Sequence, residues 1–257
     1  MDETQLDSKI AELKRNWREL DLKKMEKCEF TPAEWRALAR YCLDPNDAQA
    51  LRAMPIKLAD FTAAAKQVAL RCAEMEGYDV KENILKHAAI PAAWKDIADL
   101  AVAIDEDCNA LASALSINTH PVKRSTQIYA GKWDEPRQGL LHTDEGNGNL
   151  SIITGRIGLP GEAISGAKAA DNKKELAGLT TQQAQKRGFL DPMDDGGVYL
   201  LPIDTCSRKL AADGVFKQGD MPYDLESRGI LHKSVQVTRP TPSVFVRFFC
   251  HRHLQAA

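Results

Sequence analysis

Near the start of the chain, Ile10, Leu13, Trp17 and Leu20 recur every three or four positions, with Lys, Arg and Glu between them. That period is helical and predicts an amphipathic first helix with one buried face. Thr31-Pro32-Ala33-Glu34 sets a capping hydroxyl, a proline at the first helical position and a reciprocal carboxylate in order. It is a helix start, and Trp35, Leu38, Ala39 and Cys42 follow at helical spacing. Asp44-Pro45-Asn46-Asp47 reads as a turn leading into another cap. Leu58, Phe61, Ala65, Val68, Ala69 and Cys72 predict a helix over 57–76, stopped by Gly77. Pro91 opens a longer helix with Trp94, Ile97, Leu100, Ala101, Ile104, Cys108, Leu111 and Leu115 as its buried stripe. Residues 1–117 are therefore expected to be helical, with their stripes packed against the rest of the chain.

Past Asn118-Thr119-His120-Pro121 the period falls to two, with Val122, Arg124, Thr126 and Ile128 in alternation. Further strands are predicted at Leu150 to Thr154, ending near Gly155, at Gly197 to Ile203, at Ile230 to Val237 and at Val244 to Cys250. Residues 160–195 are rich in Gly, Ala, Lys, Asp and Gln and read as a lid-like insertion, with one short helix from Thr180 to Lys186. Helices followed by short strands predict an α+β protein. A helical N-terminal region, 1–117, would brace one sheet of a jelly-roll or cupin-like barrel formed by residues 118–257. No Pro/Gly/Ser linker divides the two parts, so one integrated unit is expected.

Composition narrows the class. With 257 residues there is room for one large domain or a small one with an appendage. A formal net charge of -2 provides no overall basic field for nucleic acid, which favours a small-molecule substrate. The six cysteines form no C-x-x-C pair, which argues against a zinc ribbon or a secreted disulfide framework. Met1-Asp2-Glu3-Thr4 is acidic and lacks the apolar core of a secretory signal, and no apolar run approaches the roughly 18 residues of a membrane span. A reduced cytoplasmic protein is the expectation.

The chemistry concentrates at Gly139-Leu140-Leu141-His142-Thr143-Asp144-Glu145-Gly146, answered downstream by Gly229-Ile230-Leu231-His232 and Phe245-Val246-Arg247-Phe248. Residues two apart on a strand face one side, so His142 and Asp144 would present an imidazole and a carboxylate to one point. His232 would bring a third donor from a distant strand, completing a 2-His-1-carboxylate metal site with open positions. Arg247 lies in an apolar strand where a cation needs a buried partner, and a guanidinium grips a carboxylate bidentately. Arg239 is nearer to His232, but Pro240 and Pro242 place it in a turn.

His142-Thr143-Asp144, His232 and Arg247 resemble the HxD…H…R pattern of the Fe(II)/2-oxoglutarate-dependent dioxygenases, over residues 120–250. The resemblance implies a double-stranded β-helix, with iron held by His142, Asp144 and His232 and the 2-oxoglutarate cosubstrate paired with Arg247. It implies hydroxylation of a C–H bond with release of succinate and CO2. Two other readings of the same residues remain open. One is a metal-binding cupin-type enzyme without 2-oxoglutarate, and the other is an inactive barrel that serves as an interaction protein. The competing structural account makes His142 and Asp144 a hydrogen-bonded loop pair and His232 an ordinary strand residue.

Other motifs carry less. Gly146-Asn147-Gly148-Asn149 lacks the Lys-Ser/Thr of a phosphate loop, and no G-x-S-x-G elbow is present. Cys250-His251-Arg252-His253 reads as an exposed basic tail. Arg124 and Arg156 read as solvated strand residues or as partners of an acidic ligand, and Tyr129 and Trp133 as pocket lining or packing. Asp194, Asp195 and Asp204 are carboxylates with no His at metal spacing.

Overall fold

The computed structural model describes residues 2–74, 95–116, 126–133, 139–145, 150–211, 216, 218–235 and 239–251. Asp2 accepts from the Thr4 N–H and starts α1 (Glu3–Glu19), whose buried face is Leu6, Leu13 and Trp17. After the short strand β1 (Met25–Lys27), the Thr31/Glu34 capping box with Pro32 starts α2 (Pro32–Leu43), as its sequence dictates. Trp17 and Trp35 pack edge to face with ring centroids 6.2 Å apart, and Phe30 lies 4.8 Å from Trp17, which locks α1 onto α2. Asp47 caps α3 (Ala48–Arg52).

Residues 57–76 depart from the expected single helix. Ile56–Phe61 is a strand, β2, and only Ala63–Glu74 is helical, α4. Thr62 marks the switch, since its hydroxyl accepts from the Ala65 N–H. The apolar residues at 56, 58 and 61 fit both periods, and the cap signal at Thr62 is what separates them. The region 1–117 is consequently not purely helical. β1 pairs with β2, and β2 pairs with β7 (Gly197–Pro202) near the other end of the chain. α5 (Lys95–Ala114) buries Ile97, Leu100, Ala101, Ile104, Cys108 and Leu111 as its periodicity predicts. Gly77, Pro91, Trp94, His120, Val122 and Arg124 lie outside the described residues.

The remaining elements are β3 (Thr126–Trp133), β4 (Leu150–Ile157), β5 (Gly161–Ala163), α6 (Gly166–Leu176), α7 (Thr181–Lys186), β6 (Asp191–Pro192), β8 (Arg208–Lys209), β9 (Met221–Pro222), β10 (His232–Ser234) and β11 (Thr241–His251). The large sheet runs β1-β2-β7-β4-β11-β3, with every pair antiparallel. β4 does not stop at Gly155 as expected. A side chain there would meet the Phe61 ring at 2.7 Å, so the glycine admits Phe61 against the sheet and the strand continues. Ile153, Ile157, Val198, Leu200, Val244, Val246 and Phe248 belong to the main core with the apolar stripes of α4 and α5. That leaves Thr154, Arg156, Phe245 and Arg247 on the opposite face.

A smaller sheet, β10-β5-β6, lies against that opposite face, and His142 forms single bridges to His232 and to Lys209 that link it to β8 and β9. Its other side buries Leu141 and Leu231 against Ile164, Leu176 and Ala184. Residues 160–195, expected as an insertion, therefore supply two strands and two helices of this layer, including the short helix foreseen from Thr180 to Lys186 and found at Thr181–Lys186. The molecule is a mixed α+β fold with two facing sheets, which do not close into a barrel among the described residues.

Candidate metal centre

The small sheet sets the two histidines side by side. His142 and His232 exchange backbone hydrogen bonds of 3.1 and 2.9 Å, which brings their rings to a centroid separation of 4.6 Å. Their neighbours Leu141 and Leu231 point the other way into the α6/α7 layer, and this alternation aims both imidazoles at the large sheet. Asp144, two residues after His142, shares its side. One nitrogen or oxygen from each of His142, Asp144 and His232 lies within 4.8 Å of the others, and all three residues are buried.

Hydrogen bonding fixes the state of the rings. Each Nδ1 lies 2.9 Å from the backbone carbonyl two residues earlier, Leu140 for His142 and Ile230 for His232. A carbonyl only accepts, so each Nδ1 carries a proton and each ring turns its Nε2 inward. Nε2 of His232 stands 3.2 Å from one Asp144 oxygen, and Nε2 of His142 stands 4.0 Å from the other. Nε2 of His142 is buried with no hydrogen-bond partner. That unpartnered nitrogen, aimed at the same point as His232 Nε2 and the Asp144 carboxylate, is free to take a further ligand. Two imidazoles anchored through Nδ1 beside a carboxylate are the donor set and outer support of a first-row divalent metal.

The electrostatics agree with an ionised Asp144 and a neutral His142. Burial opposes charge on Asp144, but His232 and Arg247 outweigh it and hold the carboxyl below the usual carboxylate range. Burial, aided by His232, pushes His142 down to about 3.

Arg247, in the middle of β11, donates to Asp144 Oδ1 at 2.7 Å. Arg239 is exposed ahead of that strand and is not part of the cluster. Arg156 is the residue that sequence reasoning undervalued. It lies directly across β4/β11 from Phe245, with its guanidinium 4.3 Å from the Phe245 ring centroid and a 2.9 Å hydrogen bond to the Ser234 hydroxyl. Arg247 sits 5.4 Å from the same ring. Burial pulls Arg156 down to about 10, which leaves it cationic at neutral pH. Ending β4 at Gly155 hid it, because Arg156 shares strand parity with Thr154 and so with Arg247 opposite. Tyr129 stacks on Phe245 at 6.0 Å and joins the same wall. Thr154, Arg156, Tyr199, Leu201 and His232 line one small cavity between the sheets.

The other candidates lie elsewhere. Asp194 pairs with Lys57, Asp195 accepts from the Gly158 N–H, and Asp204 is buried against Arg228 and Thr205. Cys250, expected in an exposed tail, is buried in the main core because β11 carries it inward, while Arg252 and His253 lie outside the described residues. Residues 146–149 and the Trp133 side chain also lie outside them. No helix among the described residues is long and apolar enough to cross a membrane. No model of a known protein family matches the sequence, and no curated protein matches it.

Proposed function

We propose that this chain is a non-haem Fe(II)/2-oxoglutarate-dependent oxygenase, built on a double-stranded β-helix and acting on a small molecule. The observation that carries the reading is the buried trio of His142, Asp144 and His232, whose inward ring nitrogens and carboxylate converge, with His142 Nε2 unpartnered. His142 and His232 would bind iron through Nε2 and Asp144 through its carboxylate, a ligand set that leaves positions open for an oxo acid and O2. Iron with 2-oxoglutarate, when bound, supplies the oxidising power for oxygen insertion into a C–H bond, with release of succinate and CO2.

The chain's own groups do the rest. The Leu140 and Ile230 carbonyls hold the rings in the binding tautomer. Arg247 and Arg156, kept in place by Phe245, give the distal carboxylate of the oxo acid a cationic wall. Tyr199 and Leu201 line the space beside them and help exclude water. The helices α6 and α7 back the small sheet from outside and act as its cover.

Anaerobic titration with Fe(II) and then 2-oxoglutarate tests this directly. One iron per chain is expected, with a visible absorption change on adding the oxo acid and succinate release once substrate and O2 are present. His142→Ala and Asp144→Ala each abolish iron binding. Unchanged iron affinity in both variants would remove the reading. One observation favours a metal enzyme without 2-oxoglutarate: Arg247 already has a carboxylate partner in Asp144. Iron binding with no spectral response to 2-oxoglutarate would select that alternative.

A further inference from the structure

Behind the small sheet, away from the metal cluster, lies an open cleft of about 740 Å³, within the size range of small-molecule sites. Gly229, Ile230 and Asp204 lie along it, and α3 and α6 flank it. Thr143 alternates away from His142 and Asp144, and a side chain on Gly229 would meet the Thr143 Cβ at 2.8 Å. The cleft and the metal cluster therefore stand on opposite faces of the same short segment.

Four cations, Arg52, Lys173, Arg208 and Arg228, and two carboxylates, Asp204 and Glu226, line the cleft. The cations are not equivalent. Arg208 is paired with Asp224 and has Asp204 at 3.6 Å, while Arg52 is paired with Asp171 at 2.5 Å. Lys173 instead donates to the Ser227 carbonyl and Arg228 to the Asn46 side-chain oxygen, each at 2.5 Å. Those hydrogen-bond acceptors are neutral, so neither side chain is held in a direct ion pair, although Asp204 and Asp224 act on Lys173 from nearby. The Asp204 carboxylate is buried and accepts the Arg228 and Thr205 backbone N–H groups. Tyr223 and Leu225 add apolar surface, and Leu225 is 61% exposed. Burial pulls the Lys173 ammonium below its ordinary range despite Asp204 and Asp224, and Arg208 and Arg228 deepen the drop.

We propose that this cleft binds a small phosphorylated metabolite, with the phosphate between Lys173 and Arg228 and the organic body against Tyr223 and Leu225. A phosphate monoester carries about -1.5 to -2 at pH 7, which matches a lining of four cations and two carboxylates with Lys173 and Arg228 as the two cations outside direct ion pairs. A monocarboxylate leaves one of them unmatched. The apolar wall favours an ester over the bare ion.

Isothermal titration of the full chain with phenyl phosphate, inorganic phosphate, succinate and 2-oxoglutarate tests the assignment. Phenyl phosphate is expected to bind saturably and more tightly than the other three. Lys173→Gln and Arg228→Gln should each weaken it by about tenfold or more, the loss of one charged hydrogen bond. His142→Ala should leave it unchanged. Absence of saturable binding, equal binding of succinate, or full affinity in both cation variants overturns the proposal. Arg228 is exposed, so its variant folds and reports even where Lys173→Gln does not. The titration needs no iron, so it succeeds or fails separately from the oxygenase reading.

Discussion

Asp144 faces three basic side chains at once: Arg247 at 2.7 Å, His232 at 3.2 Å and His142 at 4.0 Å. A lone buried carboxylate is costly, and this one is tolerable because a guanidinium is already bonded to it. Arg247 thus has two duties in the proposed enzyme, holding Asp144 and presenting cationic N–H groups to the oxo acid. Arg247→Gln is expected to raise the half-saturating 2-oxoglutarate concentration by roughly 10–100-fold, the range set by losing a charged hydrogen bond of about 1.5–3 kcal/mol. Iron titration should show the metal still bound. Arg156→Gln should act in the same direction with a smaller change, because Arg247 remains. Succinate release measured against 2-oxoglutarate concentration reads both variants, and an unchanged requirement in both would place the cosubstrate cation elsewhere. At this scale the sequence was informative where side chains alternate on one strand. His142 and Asp144 announce each other by spacing, and His232 and Arg247 each sit within an apolar strand. Arg156 read either as a solvated strand residue or as an acidic ligand's partner, because its role depends on which strand lies opposite, and cross-strand register is not written in local periodicity.

Elements were most legible where a cap signal was read together with the period. The Thr31 box fixed α2, whereas the Thr62 cap went unread and β2 was absorbed into a predicted helix because its apolar positions served both patterns. Two elements give tests of their own. Asp47 caps α3 and also takes a 2.9 Å hydrogen bond from Arg40. Burial works against its ionisation, but the Arg40 bond and the Ala50 and Gln49 N–H groups prevail and lower its pKa from 3.8. A depressed folded pKa means the stabilisation is present above the unfolded value and is lost as pH falls through the folded one. Asp47→Asn should therefore reduce the acid-side slope of the urea midpoint below pH 4, while an unchanged slope would show that the pair contributes nothing. Gly229, just ahead of β10, is pressed between Thr143 and the Asp204 N–H. Gly229→Ala forces a shift of the His142–Asp144 segment. It is expected to destabilise the fold by about 1–3 kcal/mol in urea unfolding and to weaken metal binding as well.

On the scale of the whole molecule, the two sheets have unequal support. The large one is backed by helices and a continuous apolar core, while the small one rests on a limited cluster around Leu141, Leu231 and Leu176. The proposed ligands straddle the two chain segments, 139–145 and 230–234, that this weaker layer must hold together. A divalent cation at the trio would join them only in the folded state, so metal binding is folding free energy. At a free metal concentration near 100 times the dissociation constant, the gain is about 2.7 kcal/mol. For a chain of this size that corresponds to a rise in Tm of roughly 5–10 °C. Anaerobic thermal scans with and without Fe(II), or with a redox-inert divalent ion, measure it. His142→Ala should melt near the metal-free parent and show no rise on adding metal. Hydrogen exchange should locate the protection in β10 and the segment around His142, with the large sheet little changed. Uniform protection across both sheets would mean instead that the small sheet opens only when the whole molecule unfolds, and that the metal ties together nothing the core does not already hold.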